Sequence, residues 1–272
     1  MHNTIHDIFK GDTSKFELAR AIYLTRLSEL VYIKKEKDVL LAGRKLGLAL
    51  EKWHWKKPGA THAAIWTSDR HTFVVFRGTN EFSDWRDNAA IVRTSHAWGK
   101  VHGGFQRALN RISDELLEAL TALPAFGSRK IWLSGHSLGG ALATLMAAKL
   151  YRNEVPVHGV YTYGQPEVGK RTFKERYNDA LRSRTFRVFN YMDLVPRLLR
   201  GIYTHTGTPV LLLKTSGCEI DGADYTVPEK RQNRRSSSKA RPRISRRDAV
   251  SKPDHAIGRY LKRLLVESSA TD

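Results

Sequence analysis

One cysteine, Cys218, is all that the 272 residues contain, so no disulfide can form within the chain. That usage fits a reducing compartment, and a cytoplasmic location is the expectation. Long hydrophobic runs are missing too: no apolar stretch approaches the roughly 20 residues that a spanning helix needs. Residues 1–30 are broken by His6, Asp7, Lys10, Asp12 and Lys15, so no secretory leader is expected. Acidic residues are scarce beside basic ones, 27 against 46, which leaves a formal net charge of +19. An excess of that sign favours anionic partners, either lipid or nucleic acid. What the chain does have is length enough for a substantial core, and 1–272 reads as a single α/β domain.

The stretch that organises the rest is Ile131 to Thr144. The apolar run Ile131-Trp132-Leu133 reads as a buried strand, and 138–150 as a Leu-rich helix of small residues. Between them stands Gly135-His136-Ser137-Leu138-Gly139, a G-x-S-x-G turn. Such a reversal from strand to helix forces its serine into a strained backbone conformation, and side chains two residues either side would collide with it. The expected result is a Ser137 hydroxyl presented at the carboxyl end of the strand, before a helix amino terminus.

Periodicity predicts helices over 14–31, with Ser14 as cap, and over 37–50, both read as packing elements. Strands are expected at 61–67 and 71–77 around a turn at Ser68-Asp69-Arg70. The second strand runs into Gly78-Thr79. There the Thr79 amide and hydroxyl, together with the Leu138 amide, suit the stabilisation of an oxyanion; the alternative is a mere strand-ending turn. A short helix at 82–89 would turn Phe82 and Trp85 to one side, either as a movable cover or as a fixed surface helix. Phe105, Leu109, Ile112, Leu116 and Leu120 give one helical face, opened by a His102 read as structural.

Beyond the serine, strand, helix and strand are expected at 155–163, 170–181 and 185–190, an alternation that indicates a mainly parallel sheet flanked by helices. The last strand delivers Asp193 among apolar neighbours, where an ionised carboxylate needs a partner such as a histidine nitrogen. His255 follows at the start of a terminal amphipathic helix, with His205 as its rival. In the order Ser137, Asp193, His255, a serine nucleophile is followed by an orienting acid and a general base.

Taken together, F-R-G-T (76–79), D-W-x-D-N (84–88), V-H-x-G-F (101–105), G-H-S-L-G-G-A-L-A (135–143), Y-G-Q-P-x-V-G (163–169), D-L-V-P-R-L (193–198) and D-H-x-x-x-x-Y (254–260) resemble the class 3 lipases, a fungal-lipase-like family. The resemblance spans roughly 60–265. It implies an α/β-hydrolase fold with a short lid helix at 82–88, and hydrolysis of lipid esters without metal or organic cofactor. It also implies a Ser137, Asp193 and His255 triad with Thr79 and Leu138 as oxyanion hole. Asp84, Arg86 and Asp87 in the lid segment argue against strong interfacial activation.

The segment 229–254 fits none of these motifs. Lys230, Arg231, Arg234, Arg235, Lys239, Arg241, Arg243, Arg246, Arg247 and Lys252 stand there among few apolar residues, so it is expected to be a mobile basic loop. It either holds the chain at an anionic membrane or merely solubilises it. The function expected is lipid ester hydrolysis. The alternatives are phospholipase A activity on anionic membranes and a non-catalytic homologue that binds membrane or nucleic acid. Nucleic acid is not expected as the partner of the enzyme, and the sequence sets no oligomeric state.

Overall fold

The structure is a computed structural model that describes residues 4–54, 61–79, 93–213, 218–220 and 253–270. Helices α1 (Ile5–Phe9), α2 (Leu18–Leu30) and α3 (Glu36–Lys45) precede the strands β1 (Ala49–His54), β2 (Ala63–Thr67) and β3 (His71–Phe76). A ribbon of β4 (Arg93–His96) and β5 (Gly99–His102) leads into α4 (Gly103–Asn110) and α5 (Ser113–Thr121). Strand and helix then alternate: β6 (Lys130–His136), α6 (Leu138–Arg152), β7 (Val157–Tyr163), α7 (Arg171–Leu181) and β8 (Thr185–Asn190). The described chain closes with β9 (Thr208–Leu212), β10 (Cys218–Ile220) and α8 (Ile257–Ala270).

An 8-stranded sheet runs in the order β1-β2-β3-β6-β7-β8-β9-β10. The strands β3, β6, β7, β8 and β9 are parallel, while β1, β2 and β10 are antiparallel additions at the edges. Helices on both faces keep the central strands buried throughout, so they read as near-continuous apolar runs. Alternate residues still serve opposite layers. Val74, Phe76, Ile131 and Leu133 pack beneath α4, α5, α6 and α7, while Phe73, Val75 and Trp132 pack beneath α2 and α8. Among the described residues no helix is long and apolar enough to cross a membrane.

The boundaries depart from expectation in three places. The second helix stops at Lys45, because Gly47 turns the chain at φ +75, and Ala49–His54 forms an edge strand instead of helix. The stripe from Phe105 to Leu120 is two helices: Ile112, at φ −133, breaks the path while its side chain stays buried on the shared face. Ser14 caps nothing. Its amide and hydroxyl both donate to Asp12 Oδ1, and α2 begins only at Leu18, after a Glu17 without a side-chain cap. The helix expected at 82–89 and the basic stretch through 252 lie outside the described residues.

Candidate active site

Parallel strands present their carboxyl ends at one edge of a sheet, and the loops that leave that edge are where ligands are met. Here β3 leads to Thr79, β6 to Ser137 and β8 to Asp193. Ser137 adopts φ 60, ψ −124, a conformation rare for a residue with a side chain, and its amide donates to the Tyr163 carbonyl at 2.8 Å. The flanking glycines are required for reasons more specific than crowding of the serine. A Cβ on Gly135 would run into the backbone of Gly139, and a Cβ on Gly139 into the Phe76 carbonyl of the neighbouring strand. The turn is thus pressed against β3. The same closeness brings Gly78 beneath the serine, where an added Cβ would stand 3.1 Å from Ser137 Cβ.

Asp193 follows β8 and is buried at 1 % exposure. An anion so placed needs donors, and three are present. The Val195 amide donates to Oδ1 at 2.9 Å, while His255 Nδ1, at 2.8 Å, and the Tyr260 hydroxyl, at 2.5 Å, both reach Oδ2. With its Nδ1 proton directed at the carboxylate, His255 presents a bare Nε2, which accepts from Ser137 Oγ at 3.0 Å. His255 ends the short 3-10 turn Pro253–His255 and is itself buried. Asn190 ties that turn down, donating from Nδ2 to the Asp254 carbonyl at 2.7 Å. Asp193 and His255 are therefore brought to Ser137 from two distant segments.

Leu138 is the first residue of α6, where a helix leaves amides unused and the dipole favours negative charge. Thr79 is half-buried at the end of the turn that passes under Ser137. Phe82 and Trp85 lie outside the described residues. His205 stands apart from the serine: its Nε2 donates to the Pro196 carbonyl at 2.7 Å, and burial beside Arg187 holds it well below the usual imidazole range. His102 caps α4, accepting from the Phe105 amide at 3.3 Å and stacking on that ring at 4.0 Å. Among the described residues no group of three or more His, Cys, Asp or Glu side chains could hold a metal ion.

Two site residues stand within the motifs quoted from the sequence but were given no role there. Tyr260 closes the D-H-x-x-x-x-Y motif, and its hydroxyl accepts from the Asn190 amide at 3.3 Å and donates to Asp193. Burial and the neighbouring Asp193 charge hold that hydroxyl well above the ordinary phenol range, so it remains a donor. Gly164, at φ +59, lies under the acid and the imidazole, and a Cβ there would stand 2.9 Å from Asp193 Oδ2 and 3.0 Å from His255 Nδ1. The signal for it was its place in the Y-G-Q-P-x-V-G motif, straight after an apolar strand.

The chain is similar to known proteins over about half of its length. Residues 73–201 match the family described as Lipase (class 3). A lipase of Rhizomucor miehei is 33% identical over 139 residues, 48% of this chain and 38% of its own length. Phospholipase A1-II 1 of Oryza sativa subsp. indica is 28% identical over 171 residues, 53% of this chain and 43% of its own. The chain thus spans about two fifths of the length of the curated relatives it matches. Among solved structures, a triacylglycerol lipase with a serine protease triad as its catalytic centre superposes at a TM-score of 0.61 and 26% identity. That match covers 72% of this chain and 80% of the other. Residues 73–201 thus resemble the class 3 lipases, and the fold of the chain is that of the α/β-hydrolases.

Proposed function

We propose that the chain hydrolyses carboxylic esters of lipids through an acyl-enzyme on Ser137. The observation that carries this reading is the unbroken series Ser137 Oγ to His255 Nε2 at 3.0 Å and His255 Nδ1 to Asp193 Oδ2 at 2.8 Å. Ser137 Oγ attacks the ester carbonyl as its proton passes to His255 Nε2. The resulting oxyanion is met by the Leu138 amide and by Thr79, and loss of one such donor costs about 2.7–4 kcal/mol of transition-state stabilisation. Collapse breaks the bond to the alcohol, which leaves with the proton from His255. Water, deprotonated by the same nitrogen, then releases the acid and restores the serine. Asp193 keeps the imidazole in the required tautomer and stabilises its cation.

A single 8-stranded sheet takes strands from Ala49 to Ile220, which supports reading 1–272 as a single domain. The lone Cys218 supports a cytoplasmic site of action, although relatives include proteins named as secreted lipases. A second reading, phospholipase A, is favoured by the basic residues of 229–254 and by the rice relative. Each such side chain near an anionic surface adds about 1 kcal/mol of attraction.

A panel of p-nitrophenyl esters, emulsified triglyceride and phosphatidylglycerol vesicles tests the reading. Turnover of any of these by wild type and none by Ser137→Ala supports it, and vesicle hydrolysis alone selects the phospholipase variant. A folded wild type inert on all three would favour a binding protein on a hydrolase scaffold. Deleting 232–249 should weaken binding to anionic vesicles; unchanged binding removes the membrane role of that segment.

A further inference from the structure

Tyr32, one residue past the cap of α2, lies in a segment with no reactive residue pattern of its own, yet it reaches the nucleophile's turn. Its hydroxyl lies 2.8 Å from His136 Nδ1, and His136 Nε2 lies 2.6 Å from the His255 carbonyl oxygen. A carbonyl only accepts, so the His136 proton sits on Nε2, and Nδ1 is left to accept from Tyr32. The Tyr32 oxygen in turn takes a backbone hydrogen bond from Gly78, against which it is packed closely. Its ring lies beneath the Arg77 guanidinium at 5.3 Å.

The direction of every link is therefore fixed: Gly78 amide to Tyr32 hydroxyl, Tyr32 hydroxyl to His136 Nδ1, His136 Nε2–H to the carbonyl of His255. One end is the turn that carries Thr79, and the other is the backbone of the general base. His136 is buried, and both that burial and the adjacent His255 ring, 4.6 Å away, hold it well below the usual imidazole range and keep it neutral. Buried polar groups are costly unless each finds its partner, and here each does.

We propose that Tyr32 and His136 are positioning residues, a hydrogen-bonded relay that holds the oxyanion turn and the backbone of His255 at the spacing Ser137 acylation needs. The inference rests on the ester-hydrolase reading above. The Tyr32 hydroxyl is bonded to the His136 ring, and that ring to the His255 backbone, so their effect is on geometry, where a displacement of about 1 Å can cost about a hundredfold in rate.

The test compares wild type, Tyr32→Phe, His136→Gln and the double variant, with Ser137→Ala as the inactive control. The readouts are kcat and KM on a short-chain p-nitrophenyl ester, the rate of fluorophosphonate labelling, and Tm. Tyr32→Phe keeps the ring under Arg77 and removes only the hydroxyl. It is expected to lower kcat and the labelling rate about tenfold, the worth of about one hydrogen bond, with KM within about twofold. The double variant should lose no more than the worse single one, as groups acting as one unit do. Tyr32→Phe labelling and turning over like an active wild type overturns the relay alone, as does a double variant that loses the product of the two single effects. If His136→Gln does not fold, Tyr32→Phe decides the matter by itself. A folded wild type that does not label overturns the ester-hydrolase reading and the relay with it.

Discussion

The Tyr260 hydroxyl and the His255 imidazole meet on one oxygen of Asp193, at 2.5 and 2.8 Å, while the Val195 amide takes the other oxygen at 2.9 Å. A carboxylate held by three donors has one orientation available, and that orientation sets the plane of the imidazole. α8 therefore supplies a second anchor for the acid, five residues beyond the histidine that its own start presents.

Tyr260→Phe removes that anchor and leaves a buried anion short of a donor. Hydrogen bonds to charged groups are worth about 1.5–3 kcal/mol, so kcat/KM is expected to fall roughly tenfold to a hundredfold. Steady-state kinetics beside thermal unfolding check this. Unchanged kcat/KM would mean that His255 and Val195 alone orient the acid.

Gly139→Ala should be among the most damaging single-methyl additions in the chain. The new Cβ would enter the Phe76 carbonyl, a backbone atom at the end of β3, in a strand paired on both sides. Overpacking of this kind costs about 1–3 kcal/mol and occasionally more. Denaturant unfolding of the variant reads that loss directly, and wild-type stability would show that the turn can move away from β3.

Glu167 gives a pH dependence of known sign. It is 4 % exposed, and burial pushes its carboxyl from 4.5 up to about 7, against the pull of backbone donors, including the Leu199 amide at 3.2 Å, and of Arg187 and Arg200. His205 Nε2 faces it at 3.7 Å. The folded protein binds this proton more tightly than the unfolded chain does. The stabilisation is therefore full below about 4.5 and is lost as pH rises through about 7. Glu167→Gln cannot ionise, so it should remove on the order of 3 kcal/mol of fall in stability across that window. Urea unfolding at about pH 5 and about pH 8 measures it; equal falls in wild type and variant would mean that Glu167 does not titrate there.

The parallel core and the nucleophile's turn were legible in the sequence because their causes are local. A short apolar strand, two glycines around a serine and a run of small helical residues each leave a pattern within a few positions. Asp193 and His255 were legible for a related reason: each stands where a strand ends or a helix begins. The first strand was not, because Glu51 and Lys52 on an exposed edge lack the alternation of a buried strand, and the residues before them continued a helical stripe. The roles of Tyr32 and Tyr260 were hidden more thoroughly. Their hydroxyls find partners 104 and 67 residues away, a coincidence only the folded chain brings about.

Active-site labelling with a fluorophosphonate tests most directly whether these three side chains act as one. Wild type should form a covalent adduct at Ser137 in step with loss of ester hydrolysis. Ser137→Ala should form none, and His255→Gln should be slowed by several orders of magnitude, as expected for a serine deprived of its base. Labelling of folded His255→Gln at the wild-type rate would contradict the arrangement, as would an adduct that persists in Ser137→Ala.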